Sequence, residues 1–184
     1  GEEVLAVCDK CSFAANLEKA EPRVSATKPA VDGPAYSEVS TPATKSVNAV
    51  AKFLNRETRE VGKLLFFEVA GQLVGTMLRG DHVLNEIKLR KHLGVDELHM
   101  AKADFIQSEL SVPVGYMGPV GLKPIRIVFD RDLALMPSII TGANKADTHF
   151  TGVVPGRDFQ LGEIAQIRSA GEGDGCPRCD GMLK

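Results

Sequence analysis

The chain has 184 residues, of which 43% are hydrophobic and 25% are charged, with a formal net charge of −2. This length and apolar content suit one globular domain with a substantial core. The nearly balanced charge argues against an autonomous nucleic-acid binder, because such proteins usually carry a marked basic excess. The sequence has no run of about 18 apolar residues and therefore predicts no transmembrane span.

The cysteines form two Cys-x-x-Cys motifs, at 8–11 and 176–179. Each motif places two thiolates on one side of a tight turn, and two such knuckles can complete a tetrahedral zinc site. We predict one structural Zn²⁺ bound by Cys8, Cys11, Cys176 and Cys179. The alternative is four reduced thiols without a metal. Four Cys ligands leave no open position, so no chemistry is expected at this ion.

The two knuckles stand near opposite ends of the chain. If both bind one metal, the ends are adjacent in space, as expected for a domain inserted into a loop of a larger protein. The chain starts with Gly1-Glu2-Glu3, without an initiator Met, and stops just after the second knuckle. We therefore predict that 1–184 is a single domain excised from a longer protein.

The predicted elements begin with a loop or linker at 21–45, which is rich in Pro, Ser and Thr. After it, apolar residues at helical spacing predict an amphipathic helix with Ser46 or Thr44 as its N-cap. Its apolar positions are Val47, Val50, Ala51 and Leu54. Two strands follow at 63–69 and 73–79, and the residues between them can close a hairpin.

Helices are predicted from about Val83 to Leu93, with Asp81 as the cap, and from Asp104 to Leu110. The loop Gly115–Pro119 contains glycines that allow close approach of the backbone to a ligand. Further strands are predicted at 125–129, ending at Asp130, and at 148–154. Helices alternate with strands, which indicates a mixed α/β fold with a largely central sheet.

Several polar residues are candidates for chemistry, but each also has an ordinary structural interpretation. Lys63 at the start of a strand can extend to the surface. Asp130 can occupy a turn, and His149 can be a half-buried histidine with satisfied hydrogen bonds. No Cys nucleophile with a nearby His is evident, and no glycine-rich phosphate loop is present. The residue types alone therefore leave the activity open.

Seven short segments carry a resemblance that covers most of the chain: Phe13–Glu21, Val61–Leu65, Arg79–Glu86, Gly115–Pro119, Asp130–Arg131, Gly142–Asn144 and His149–Gly152. In this order they resemble the YbaK-like aminoacyl-tRNA deacylase family, in particular the editing insertion domain of bacterial prolyl-tRNA synthetases. The chain departs from the family pattern at Leu64, where a Thr commonly follows the lysine. The Cys-x-x-Cys motifs are absent from many relatives. The resemblance implies a YbaK-like fold with a central mixed, partly barrel-like sheet surrounded by helices.

The resemblance also implies an activity, the hydrolysis of mischarged Ala-tRNA(Pro) to alanine and tRNA. A synthetic site shaped for proline cannot strongly reject alanine, because each missing methylene is worth only about 1–3 kcal/mol. The implied partners are aminoacyl-tRNA(Pro) and the rest of a cytoplasmic, homodimeric prolyl-tRNA synthetase, with its class II catalytic and anticodon-binding domains. No membrane is implied. Only the missing catalytic domain would use ATP, and editing would need no cofactor.

Two alternatives to this activity are a catalytically silent insert that binds tRNA or supports the synthetase, which Leu64 favours, and a free-standing deacylase for a different tRNA. For the editing activity, the resemblance assigns catalytic roles to Lys63, Asp130, His149, Gly115 and Gly118. Lys63 would bind the phosphate of the terminal adenosine or neutralise developing charge. The backbone amides from Gly115 to Gly118 would hold the scissile carbonyl, and Asp130 and His149 would orient substrate or water.

The resemblance assigns substrate binding to a second set of residues: Val47, Val50, Tyr116, Met117, Pro119, Arg79 and Asn144. The two valines of this set would form the wall of an alanine pocket. The alternative is that they are ordinary core residues.

Overall fold

The structure is a computed structural model that describes residues 4–24 and 32–184. Its strands and α-helices follow in chain order: β1 (Leu5–Val7), β2 (Ala14–Asn16), β3 (Ser37–Ser40), α1 (Val47–Phe53), β4 (Gly62–Val69), β5 (Gln72–Arg79), α2 (Glu86–Leu93), β6 (His99–Met100), α3 (Ala103–Leu110), β7 (Arg126–Asp130), α4 (Arg131–Ala134), β8 (Ile139–Gly142), β9 (Thr148–Val153) and β10 (Glu163–Ala165). A short 3-10 helix at Thr58–Glu60 precedes β4. Among the described helices, none has the length and apolar character needed to cross a membrane.

A five-stranded mixed sheet, in the order β10-β7-β5-β4-β6, lies at the centre of the fold. Strands β4 and β5 form an antiparallel hairpin, and β7 runs parallel to β5. Residues Leu73–Leu78 of β5 are all buried, as expected for a strand covered on both faces. One side packs Met77, Phe129 and Leu133, and the other packs Leu78, Leu89 and Val128. The predicted mixed α/β fold with a central sheet is confirmed.

A second sheet of three strands, in the order β3-β9-β8, lies beside the start of β4. An isolated parallel bridge joins Val61 to Ile140, which brings β8 next to the start of β4. The described strands form separate sheets of five, three and two strands. The partly barrel-like character of the sheet is therefore not confirmed and stays a prediction.

Three expectations from the sequence need correction. Strand β3 lies within the predicted linker at 21–45, of which 25–31 fall outside the described residues. Among the described strands, β3 pairs with β9 alone, and its mostly exposed polar residues give no apolar signal. Helix α2 begins at Glu86, because the Asn85 side chain accepts hydrogen bonds from the amides of Ile87 and Lys88. Asp81 does not cap the helix, since its carboxylate pairs with Arg79.

Candidate active site

A cavity of about 330 Å³ opens between the start of α1, the start of β4, α3 and the loop that follows α3. Six of the residues that the sequence predicts for the site line it: Val47, Val50, Lys63, Gly115, Met117 and His149. They come from four separate segments of the chain, and the contact between the two larger sheets brings them together. The cavity is therefore the candidate active site.

Lys63 enters the cavity from the second position of β4. Its Nζ donates a hydrogen bond of 2.6 Å to the backbone carbonyl of His82. Burial lowers the pKa of Lys63, although the nearby carboxylate of Asp81 acts in the opposite direction. An ammonium group has three protons, so two donors remain for a substrate while one fixes the side chain in place.

His149 lies on β9 and is only 4% exposed. Its Nδ1 is 2.6 Å from the hydroxyl of Thr41, and the ring of Tyr116 meets the imidazole edge-on at a centroid distance of 5.7 Å. Burial lowers the pKa of His149 below the ordinary value of 6.5, so the imidazole is neutral at pH 7. Its Nε2 has no hydrogen-bond partner among the described residues and can interact with a bound water or substrate.

The loop Gly115–Pro119 packs backbone against backbone on the end of β8. A Cβ atom on Gly118 would lie 2.0 Å from the carbonyl oxygen of Gly142, and one on Gly142 would lie 2.3 Å from that of Tyr116. Only glycine fits at either position. Asn144 fixes the loop further, since its side chain donates to the carbonyls of Gly118 and Val120.

The same contact changes the predicted role of Gly118. Its amide donates a 2.9 Å hydrogen bond to Oδ1 of Asn144, so it is not free to hold a scissile carbonyl, contrary to the prediction. Within the described part of the chain, the amides of Gly115 and Met117 donate to no protein group. These two amides are therefore still available to donate a hydrogen bond to a ligand.

Asp130 is placed outside the cavity, at the end of β7 and fully buried. Its carboxylate caps α4 at the amide of Asp132 and accepts from the amides of Ile167 and Arg168. Burial raises the pKa of Asp130, while the hydrogen bond from Ile167 opposes that shift. The position fits a residue that holds the end of β7 and the start of α4 against the segment after β10. It does not place Asp130 against a substrate in the cavity.

Four residues that were predicted to bind substrate do not line the cavity. Tyr116 packs on His149 and donates through its hydroxyl to Asp147 at 2.7 Å. Asn144 holds the glycine loop, and Pro119, the last residue of that loop, lines a different cavity. Arg79 ends β5 and is engaged in two hydrogen bonds with Asp81.

The cysteines form a separate cluster at the chain ends, where ligand atoms of all four lie within 4.8 Å of one another. The Sγ atoms of Cys8 and Cys179 are 3.5 Å apart, and those of Cys11 and Cys176 are 3.7 Å apart. A tetrahedral ion with Zn–S bonds of 2.3 Å requires sulfur separations of about 3.8 Å. The prediction that the two knuckles meet in space is confirmed, and the four sulfurs fit one metal ion.

Backbone hydrogen bonds prepare this cluster for a metal. The amides of Lys10, Arg178 and Gly181 donate to the sulfurs of Cys8, Cys176 and Cys179. The bond from Lys10 is the largest of the effects that lower the pKa of Cys8 to about 7, against the opposing effect of burial, whereas the pKa values of Cys11 and Cys179 are raised. A thiolate is the form that binds a metal.

A family model of the aminoacyl-tRNA editing domain matches residues 41–159. The chain belongs to the aminoacyl-tRNA editing domain family. The match spans every residue of this editing domain that lines the cavity, from Lys45 to His149. It does not include either Cys-x-x-Cys motif.

Full-length relatives of the editing domain include two curated proline–tRNA ligases. That of Citrifermentans bemidjiense is 44% identical over 181 residues, and that of Syntrophus aciditrophicus is 41% identical over 186 residues. The matches cover 98% and 100% of this chain. The chain spans 32% of the length of each ligase.

A solved structure of a candidate trans-editing enzyme for prolyl-tRNA synthetase superposes on the editing domain with a TM-score of 0.60. The two are 21% identical, and the superposition covers 73% of this chain and 87% of the other. At this identity the similarity concerns the fold, and it agrees with the fold class predicted from the sequence.

Sequence reasoning missed several residues of the editing domain's site. Lys45 and Ser46 line the cavity beside α1, and Met100, Ala103 and Ile106 line it from β6 and α3. Thr41 holds His149 and was not predicted either. The residues around Thr41 and Lys45 stand in a segment without periodicity, so no pattern in the sequence indicates that they reach the site.

Proposed function

We propose that this editing domain hydrolyses the ester of mischarged Ala-tRNA(Pro) and forms part of a prolyl-tRNA ligase. The observation that carries the proposal is the composition of the cavity, where the apolar side chains of Val47 and Val50 stand beside the ammonium of Lys63 and the neutral imidazole of His149. The similarity to two proline–tRNA ligases supports this choice of tRNA.

Selection of alanine follows from the shape of the apolar wall. Val50 is 1% exposed and packs with Ala51, Val61 and Ile140, so the wall is held by the core behind it. A rigid wall can admit the methyl group of alanine and exclude the larger ring of proline. A pocket can exclude a larger side chain by size more effectively than it can reject a smaller one. Steric overlap with a packed wall costs more free energy than the loss of a contact.

Hydrolysis requires stabilisation of the negative charge that develops on the carbonyl oxygen. A water oxygen bonds to the carbonyl carbon, the bond from that carbon to the ribose oxygen breaks, and a proton from the water goes to the ribose oxygen. Lys63 and the amides of Gly115 and Met117 would stabilise the oxyanion. His149, held by Thr41 at Nδ1, would orient the attacking water through Nε2. The reaction needs no metal.

A structural Zn²⁺ at Cys8, Cys11, Cys176 and Cys179 completes the proposal. The ion would fasten the first knuckle to the last and contribute folding free energy. It would take no part in the reaction, since four thiolates leave no open position.

The test is a comparison of substrates. We expect the wild-type chain to release alanine from Ala-tRNA(Pro) at least about 10²-fold faster than proline from Pro-tRNA(Pro), on the scale set by a few methylenes. Rates are measured under single-turnover conditions with both tRNAs charged to the same level. Equal rates would contradict the selection by size.

The second candidate is an insert that binds tRNA without catalysis. It is favoured by the hydrogen bond that already engages Lys63 with the carbonyl of His82, and by Leu64, which departs from the family pattern. Tight binding of tRNA(Pro) with no hydrolysis of either ester would establish this alternative and reject the deacylase.

A further inference from the structure

The charged side chains that line the cavity have one sign. Among the described residues, Lys45 and Lys63 are the ionised groups of the wall, and neither an Asp nor a Glu lines it. The net charge of the chain is −2, so this local positive charge is not a reflection of the overall composition. A cavity of this kind fits a ligand that carries an anion next to a small apolar group.

The two lysines differ in their surroundings. Lys63 is half-buried and fixed by the His82 carbonyl, a position suited to the reacting ester. Lys45 is exposed just before the N-cap of α1. It forms no salt bridge with a described carboxylate, and its attraction to the nearby carboxylate of Asp147 acts without direct contact. Its ammonium can therefore still bind an incoming anion.

The stem of Lys45 is held over the glycine loop. A Cβ atom on Gly115 would lie 2.9 Å from Cβ and Cγ of Lys45, so the glycine leaves the space in which the lysine stem lies. The ammonium is 6.0 Å from the centroid of the Tyr116 ring, at the limit of a cation–π contact. These contacts hold Lys45 on the side of the cavity that is bordered by the amides of Gly115 and Met117.

We propose that Lys45 binds the phosphate on the 5′ side of the terminal adenosine, while Lys63 stabilises the charge that develops on the ester. The inference rests on the proposed function and refines it. The resemblance gives phosphate binding and charge neutralisation to Lys63 alone, and the inference divides these roles between the two lysines. An exposed ammonium is suited to a phosphate, which keeps part of its own hydration.

The test compares two small substrates, the alanyl ester of adenosine, which has no phosphate, and the alanyl ester of the dinucleotide cytidylyl-adenosine, which has one. For the wild type, we expect kcat/KM to be higher for the dinucleotide. Lys45→Ala should lower the ratio of the two kcat/KM values by roughly tenfold, through KM, and Lys45→Arg should restore most of it. Lys63→Ala should lower kcat for both esters and leave the ratio near the wild-type value.

The matched control is Lys52→Ala, which removes an exposed lysine of α1 that does not line the cavity. Its ratio should equal that of the wild type. An unchanged ratio in Lys45→Ala, or equal losses on both esters through kcat, would overturn the proposal.

Calorimetry with non-hydrolysable amide analogues of the two esters measures affinity without hydrolysis. It therefore separates the phosphate-binding role of Lys45 from the proposed deacylase function. If the wild type cleaves neither ester, the proposed function fails, yet a phosphate-dependent affinity that Lys45→Ala removes would still support the inference. If that affinity does not depend on Lys45, the inference fails whatever the activity.

Discussion

At the scale of single residues, Lys63 combines a charge with an apolar setting. It lines the cavity and pairs with Leu78 across the hairpin, and its ammonium is fixed by one backbone carbonyl. Such an arrangement holds a positive charge in place before the reaction begins, so little reorganisation is needed as the oxyanion forms. The ester of the proposed substrate would meet this preorganised charge.

We therefore expect Lys63→Ala to reduce kcat for Ala-tRNA(Pro) by on the order of 10²-fold or more. The measurement is single-turnover hydrolysis, with the melting temperature as a check on folding. Lys52→Ala is the matched control and should hydrolyse the ester at the wild-type rate. A Lys63→Ala protein that folds and cleaves normally would show that the lysine is only structural.

His82 is a second residue whose environment matters, because it makes the stability of the fold depend on pH. Burial lowers its pKa to about 4, and the charges of Arg168 and Arg79 act in the same direction. The folded state thus binds fewer protons than the unfolded state between pH 4 and the ordinary value of 6.5. By linkage, stability increases with pH across this window and is lost as pH falls through it.

We expect this single group to decrease the free energy of unfolding by about 3 kcal/mol between pH 6.5 and pH 4. Urea denaturation of wild type and His82→Gln at several pH values in this range measures the difference. The variant should show the shallower dependence, because other groups titrate alike in both proteins. Parallel curves would mean that His82 has the same pKa in the folded and unfolded states.

At the scale of elements, helix α1 has both a structural and a selective face. Its N-cap Ser46 accepts from the amide of Ala49 and sets where the helix begins, so Val47 and Val50 face both the cavity and the core cluster around Val61 and Ile140. The proposed sieve and the ordinary core position are therefore compatible properties of the same side chains.

Replacing either valine by alanine should enlarge the cavity by up to two methylene-sized groups. We expect hydrolysis of Ala-tRNA(Pro) to weaken and that of a larger ester, with serine, valine or proline, to rise by roughly tenfold. Val50→Ala should also destabilise the fold more than Val47→Ala, because Val50 is the more buried. The measurement is deacylation of tRNA(Pro) charged with each amino acid, and an unchanged order of preference in folded variants would place the sieve elsewhere.

At the scale of the whole molecule, the two ends of the described chain are fastened to each other. Val7 and Lys184 exchange backbone hydrogen bonds, and a bridge joins Cys8 to Leu183. The cysteine cluster has its own small core, which includes Phe13, Ala20 and Leu183. The ends thus form a compact unit of their own, beside the larger sheets that hold the cavity.

Removal of the metal should destabilise this terminal unit first. We expect one zinc per chain in protein purified without chelator, and a decrease in melting temperature on the order of 10 °C after chelation, as a loss of a few kcal/mol produces in a protein of this size. Cys176→Ser should reproduce the decrease without chelator. Protein with four free thiols, no metal and an unchanged melting temperature would contradict the zinc site.

The sequence by itself determined the elements that have a strong local signal and the residues with unusual chemistry. The apolar run of β5, the spacing of α1 and the Cys-x-x-Cys knuckles are all visible in short windows, because hydrophobic period and ligand spacing are local properties. The family resemblance added Lys63, His149 and the glycine loop, which the residue types alone left open.

Only the tertiary structure decided which of these residues meet. Lys45, Thr41 and Ile106 reach the site through packing between α1, the two sheets and α3, and no local pattern records such long-range contacts. The structure likewise placed Asp130 at a helix cap and engaged the Gly118 amide with Asn144. A buried polar group takes whichever partner the completed fold presents, and that partner is fixed only when distant segments have packed together.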